Sequence, residues 1–368
     1  MLDINWLEKN ESLFKLPIFI DQDKFYYTDL ENRYQRILSA VRVEDSAFYE
    51  KIKAACDSIL SAIVDYYSGS FSCAYFTISK LIDEIEKDEK SEYAISTLKR
   101  NFIIPKNSKD EIQFFRARKS NAITRYEKEE MLHVPFDKRE LCCDGRFSIS
   151  GIPCLYIGNT SYVCWLEMGS PADHEFNVAP FKIDNNLTFL NLAIPINYLY
   201  STLEHHQTNE FYFLMKIFLI QVAISYCIKE ENRVFHSEYI ISQLIMKICM
   251  EKKYDGIIYY STKASSNIFN IVIGFNAVLF MPFDNESKNN ISKKCDDHIE
   301  NWHSYNFSMI KKLKYSETYK SDRCELAVDF SPFISNIGTI DYQIAYRDTF
   351  FYDFDKYIFS QWEESKKT

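Results

Sequence analysis

The chain has 368 residues, of which 46% are hydrophobic, and a net charge of −9 from 43 basic and 52 acidic side chains. This length exceeds that of most single domains and predicts two domains. The acidic balance disfavours a protein that binds the phosphate backbone of nucleic acid. With only 8 Gly and 9 Pro, the composition excludes collagen-like and Gly-rich repeats.

Several features indicate the compartment. The N-terminus, MLDINWLEKNES, has neither the basic start nor the apolar run of a secretory signal. The ten cysteines include no C-x-x-C pair, so reduced thiols are expected and metal-ligand spacing is absent. Lys216, Gln221 and Ser225 interrupt the apolar run at 211–228, which favours a buried core helix over a membrane span. We therefore expect a cytoplasmic protein with no membrane partner and no metal site.

The N-terminal part of the chain has a helical pattern. From Leu30 to about Lys87, apolar residues recur every three or four positions, which is typical of helices packed on a core. The tripeptide SGS at 68–70 interrupts this pattern, which then resumes. We predict an N-terminal helical bundle at residues 1–104, and the polar, proline-containing stretch PKNSKDE at 105–111 predicts a boundary.

Beyond this boundary, short runs rich in β-branched and aromatic residues predict strands. The runs are IQFFRA, CLYIG, FKI, TFLNLAI, GIIYY and the stretch 268–281. Helices are expected near 210–229 and 237–252. Strands and helices without regular alternation predict an α+β fold with a mixed or antiparallel sheet. Apolar segments that follow a polar stretch predict that residues 284–368 are an extension packed on the second domain.

Three arginines suit an anionic ligand. Arg116 and Arg118, in FFRAR, share one face of a predicted strand, where two guanidiniums could clamp a diphosphate. The alternative is a solvated strand edge. Arg146 follows Gly145 in GRFSISG, a loop whose glycines would let backbone amides approach phosphate oxygens; the alternative is an ordinary turn. The loop is not a G-x-G-x-x-G motif, so a Rossmann fold is not indicated.

Three other side chains suit a base or a ribose. The Tyr156 ring, in CLYIG, could stack on a planar heterocycle or simply pack in the core. Glu167 ends SYVCWLE, which predicts the first turns of a helix. Its carboxylate could stabilise an oxocarbenium-like centre, or it could be an exposed helix residue. The Ser261 hydroxyl, after GIIYY, could hold a phosphate or a carboxamide, although alone it is not specific.

In their order along the chain, these residues resemble the RES domain family over roughly residues 110–283. The motifs that carry the resemblance are FFRAR, GRFSISGIPCLYIG, WLE and YDGIIYYS. The resemblance implies a fold related to ADP-ribosyltransferase toxins. It assigns catalytic roles to Arg116, Glu167 and Ser261, and ligand binding to Arg118, Arg146, Phe147 and Tyr156. In GRFS, Phe147 takes the aromatic role that Trp has in the family's GRW.

The resemblance also implies an activity. It indicates that nicotinamide is split from ADP-ribose with phosphate or water as acceptor, so the chain would be an NAD⁺ phosphorylase or NAD⁺ glycohydrolase with NAD as substrate and no cofactor. Family members act as toxins beside a cognate antitoxin or in phage defence, and a homo-oligomer is compatible with this role. Two alternatives stay open, namely transfer of ADP-ribose to a macromolecule and a non-catalytic sensing module.

The N-terminal helical region resembles the HEPN-type domain that precedes some RES domains. Active HEPN ribonucleases need a histidine, and residues 1–132 contain none. The resemblance therefore implies that this domain is inactive as a nuclease and serves assembly or sensing.

Overall fold

The computed structural model describes residues 2–20, 25–97, 113–228, 233–264, 274–283, 290–310, 333–334, 344–346 and 349–366. The chain forms two compact units, each assembled from separate stretches. The first comprises Met1–Ile103, Cys143–Ser150 and Thr188–Thr262, and the second comprises Ile104–Cys142, Gly151–Leu187 and Lys263–Thr368. The connector at 105–111 lies outside the described residues. The domain limits 1–104, 110–283 and 284–368 stay predictions.

Helices and strands are numbered in chain order. The α-helices are α1 (Ile4–Lys9), α2 (Tyr26–Glu44), α3 (Ser46–Tyr67), α4 (Phe71–Glu86), α5 (Ser161–Glu167), α6 (Ile196–Glu204), α7 (Thr208–Ile224), α8 (Ile240–Glu251), α9 (Lys293–His298) and α10 (Phe350–Ser365). The strands are β1 (Ile95–Thr97), β2 (Phe114–Lys119), β3 (Cys154–Gly158), β4 (Phe176–Ile183), β5 (Thr188–Asn191), β6 (Gly256–Tyr260), β7 (Phe275–Phe280), β8 (Ile299–Asn301), β9 (Tyr305–Asn306), β10 (Phe333–Ile334) and β11 (Ile344–Ala345). Short 3₁₀ helices cover Glu11–Leu13, Ser91–Tyr93, Glu129–Met131, Phe136–Leu141 and Ser237–Tyr239.

Helices α2, α3 and α4 form the predicted N-terminal bundle in the first unit. Asp45 caps the N-terminus of α3, because its side chain accepts a hydrogen bond from the Phe48 backbone N–H at 2.9 Å. The predicted break at 68–70 is confirmed, since α3 ends at Tyr67 and Gly69 adopts a φ of +77°, a conformation that favours glycine.

Helix α7 is the core helix that the apolar run predicts, because most of its side chains are buried in the first unit. Two hydrogen bonds tie helix α2 to it. The Tyr34 hydroxyl donates to the Leu219 carbonyl at 2.7 Å, and the Tyr26 hydroxyl donates to the Ala223 carbonyl at 2.9 Å. Among the helices in the described part of the chain, none combines enough length and apolarity to cross a lipid bilayer.

The strands of the first unit are β1, β5 and β6. Strand β5 pairs antiparallel with β1 and parallel with β6. This parallel pair, beside antiparallel pairs elsewhere, gives the fold the mixed pairing that the sequence predicts.

In the second unit the strands pair in the order β7, β3, β2, β4 and β8, and β9 also pairs with β4. These pairs are antiparallel. Helices α5 and α10 pack on one face of this sheet, in an apolar cluster that includes Phe115, Val178 and Trp362. Strands β10 and β11 form a separate antiparallel pair. Helices followed by a mixed set of strands confirm the predicted α+β class.

Candidate active site

Glu167 is the last residue of α5, and its exposed side chain is held by a hydrogen bond. Its Oε1 atom accepts from Nδ2 of Asn276 at 2.6 Å. Asn276 is only 4% exposed and lies in β7, directly opposite Gly158 of β3. The carboxylate is therefore fixed at one end by a buried amide while its side chain stays accessible to a ligand.

The end of β3 fits closely under α5. A Cβ atom at Gly158 would lie 3.0 Å from Sγ of Cys164 and 3.3 Å from Cγ1 of Val163. Thr160 then caps the helix, since its side-chain oxygen accepts from the Val163 backbone N–H at 3.1 Å. Glycine at the end of β3 thus permits the close approach of α5, the helix that ends at Glu167.

Tyr156 lies on the same face of the sheet as Asn276. It is two residues before Gly158 in β3 and opposite Val278 of β7. Tyr156 and Asn276 are therefore diagonal neighbours, a spacing that aromatic side chains can bridge. The strand pairing thus places Tyr156, which is half-buried, beside Asn276 on this face of the sheet.

Arg116 and Arg118 lie on one face of β2, as the alternation in FFRAR predicts. They stand opposite Ala179 and Asn177 of β4. Among the described residues, Nη1 of Arg116 and Nε of Arg118 are buried and have no hydrogen-bond partner. Burial, and then the repulsion of Arg118, lower the pKa of Arg116 to about 9. Donors left unsatisfied in this way would gain most from an anionic ligand.

The Arg116 side chain and the helix that carries Glu167 lie on opposite faces of the sheet. Phe115 lies directly opposite Gly158, so both point to the face that α5 covers, and Arg116 points to the other face. The two charges nevertheless share a neighbour. Burial raises the pKa of the Cys164 thiol, Glu167 raises it further, and Arg116 lowers it. A pocket shared by Arg116 and Glu167 stays a prediction.

Arg146, Phe147 and Ser261 belong to the first unit. The Arg146 guanidinium is 8% exposed and donates to the carbonyls of Ile224, at the end of α7, and of Tyr226, the latter at 2.8 Å. Phe147 and Ser261 are fully buried. The structure thus gives Arg146 a structural role at the end of α7. Ligand binding by Arg146 and Phe147, and catalysis by Ser261, stay predictions.

We expect Arg146→Met to lower the free energy of unfolding by about 1–3 kcal/mol, because the carbonyls of Ile224 and Tyr226 would lose a charged donor in a buried place. Urea denaturation of the purified protein measures this change. Arg36→Met, at an exposed position of α2, is the matched control and should change the free energy by at most about 0.5 kcal/mol. Equal stabilities of the two variants would contradict the structural role.

Asn276 is the residue of the candidate site that the sequence does not reveal. It lies in the strand run FNAVLF, where a single Asn carries no local signal of a role. Its contact with Glu167 joins residues 109 positions apart. In the described residues, no group of three or more His, Cys, Asp or Glu side chains is placed to hold a metal ion.

Comparison with known proteins identifies the segment that carries these residues. Residues 115–286 match the family model of the RES domain. This segment is therefore similar to the RES domain. The match includes the three predicted catalytic residues Arg116, Glu167 and Ser261, and it confirms the family that the ordered motifs resemble.

One relative of this chain is a protein of Bacillus subtilis (strain 168) named "Putative toxin YopC". It is 32% identical over 236 residues, which are 60% of this chain and 50% of that protein. The chain thus aligns with half the length of this relative. A chain in the crystal structure of the M. tuberculosis MbcT-MbcA toxin-antitoxin complex is 10% identical, with a TM-score of 0.27 over 55% of this chain and 89% of that chain.

Proposed function

We propose that the protein is a toxin whose RES domain cleaves the bond between nicotinamide and ribose in NAD. The observation that carries the proposal is the exposed Glu167 carboxylate, held by Asn276 within the segment that matches the family. A carboxylate beside the ribose suits this chemistry, because glycosidic cleavage passes through an oxocarbenium-like state whose positive charge a carboxylate stabilises.

In the proposed reaction, the bond between C1′ of the ribose and the nicotinamide nitrogen breaks, and its electron pair leaves with nicotinamide. Positive charge then develops on the ribose, where Glu167 stabilises it. Water or phosphate forms the new bond to C1′. Water yields ADP-ribose and a released proton, and phosphate yields a phosphorylated ADP-ribose.

The other predicted residues would bind the substrate. Arg116 and Arg118 have donors without a partner among the described residues, which suit the diphosphate, and Tyr156 would stack on a base. Positioning and electrostatic stabilisation are sufficient for such a reaction, so the proposal includes no metal or other cofactor. Ser261 would contact phosphate or the carboxamide.

The proposed partners and setting follow from this activity. A chain that consumes NAD harms its own cell, so we propose a cytoplasmic toxin restrained by a cognate antitoxin, with phage defence as one setting. The relative named as a toxin supports this assignment. The N-terminal helical region would serve assembly or sensing, including homo-oligomer formation.

The experiment incubates the purified full chain with NAD, with and without phosphate, and follows the products by phosphorus NMR. We expect loss of NAD and release of nicotinamide. A new phosphomonoester signal would identify phosphate as the acceptor, and ADP-ribose would identify water. Label from the adenylate moiety appearing on protein or nucleic acid would instead establish ADP-ribosyl transfer. Unchanged NAD in folded protein would favour a non-catalytic module.

A further inference from the structure

A buried carboxylate from the C-terminal helix lies against the start of α5. Asp355, in α10, is 6% exposed, and both of its carboxylate oxygens lie 3.3 Å from the Ser161 backbone nitrogen, which donates to them. The Tyr346 hydroxyl also donates to this carboxylate. Asp355 thus joins the C-terminal part of the chain to the first residue of the helix that carries Glu167 at its other end.

The rest of α5 also depends on α10. The Phe351 ring of α10 lies 5.2 Å from the Tyr162 ring and 5.5 Å from the Trp165 ring, measured between centroids. Underneath, the Cys164 thiol donates to the Phe115 carbonyl at 3.3 Å. A helix of only seven residues is too short to hold its own geometry in water, so these contacts determine where it lies.

We propose that Asp355 is a positioning residue for Glu167, acting through Ser161 and α5. This inference rests on the proposed function, because it concerns the carboxylate that would stabilise the ribose. It makes α10, which lies beyond the segment that matches the RES family, part of the construction of the active site.

The charge of Asp355 distinguishes this role from simple packing. Burial raises the pKa of Asp355 to about 7, while hydrogen bonds from Ser161 and Tyr346 oppose that rise. The other groups that act on it electrostatically are Lys356 on α10 and Cys164 on α5. The charged carboxylate, which is the stronger acceptor, therefore predominates above about pH 7 and is lost below it.

Stability and activity should respond to this titration with opposite signs. Because the folded-state pKa of Asp355 is raised above its ordinary value of 3.8, its contribution to the free energy of unfolding is full below about pH 4 and is lost as the pH rises through about 7. The charged form positions Glu167, so kcat should instead increase as the pH rises through about 7. If Asp355 had a purely structural role, stability and activity would change in the same direction with pH.

The experiment compares Asp355→Asn with wild type and with Glu364→Gln, which removes an exposed carboxylate from the same helix. Hydrogen exchange of the peptide that covers 159–168 reports on α5, and kcat and KM for NAD are measured from pH 6 to 8. For Asp355→Asn we expect about tenfold faster exchange and about tenfold lower kcat, the effect of one hydrogen bond to a charged group. At pH 8, KM should not increase and the midpoint of thermal unfolding should not fall. The change in kcat that we expect for wild type near pH 7 should be absent from Asp355→Asn.

Tyr346→Phe provides a second test that does not depend on the folding of Asp355→Asn. It removes one hydrogen bond that lowers the pKa of Asp355, so the change in kcat should move to higher pH. Unchanged α5 exchange in Asp355→Asn, or an unchanged kcat despite faster exchange, would overturn the positioning role. Faster exchange with no NAD cleavage by wild type would support the positioning of α5 and overturn the proposed function.

Discussion

Glu167→Gln should lower kcat for NAD cleavage by about 10²–10³-fold, the loss typical when one electrostatic group of a transition state is removed. The carboxamide has nearly the shape of the carboxylate, and Nδ2 of Asn276 can still donate to its oxygen. Only the negative charge beside the ribose is lost. Because the side chain is exposed, the fold should be kept. Release of nicotinamide, followed by chromatography, measures the rate.

Glu129→Gln is the matched control for this change. Glu129 is also exposed and in the second unit, and its ion pair with Lys128 at 3.7 Å is on the surface, where such pairs contribute little. Its kcat should equal that of wild type. Wild-type kcat in Glu167→Gln, with normal thermal unfolding, would rule out a role for this carboxylate in the chemistry.

Local patterns predict the helices and strands well, because the residues on the buried face of each element recur at a fixed spacing along the sequence. Tyr34, Ile37 and Val41 repeat at helical spacing, and all three are fully buried in α2. In FFRAR, the alternation that places Arg116 and Arg118 on one face is confirmed by their register against β4. These features depend on neighbours within a few residues, so the sequence displays them directly.

Contacts between distant parts of the chain are what the sequence cannot display. Ser161 and Asp355 are separated by 194 positions, and their hydrogen bond exists only because α10 packs beside α5. The contacts of Arg146 are a second example of long-range contacts that the sequence does not display. Its loop predicts a phosphate-binding side chain, and this stays a prediction. The structure adds that its guanidinium donates to carbonyls at the end of α7, which no local pattern in the loop indicates.

Arg116→Met should raise the free energy of unfolding at pH 7 by about 1–3 kcal/mol, because it removes a charged group whose Nη1 atom is buried without a hydrogen-bond partner among the described residues. The methionine side chain can fill similar space without a charge. Activity should fall at the same time, with kcat/KM for NAD lowered roughly 10–10²-fold by the loss of a charged hydrogen bond to the diphosphate. Greater stability with lower activity is the signature of a side chain kept for its ligand.

The pH dependence sharpens this expectation. Since the folded-state pKa of Arg116 is lowered to about 9, the destabilisation by the charged form is full below that pH and diminishes as the pH rises above it. The stability gap between Arg116→Met and wild type should therefore narrow between pH 7 and pH 10, as measured by urea denaturation. Arg125→Met, at a site whose side chain is 61% exposed, should show no such gap. A destabilised Arg116→Met would mean that the guanidinium supports the fold, and the diphosphate site would have to lie elsewhere.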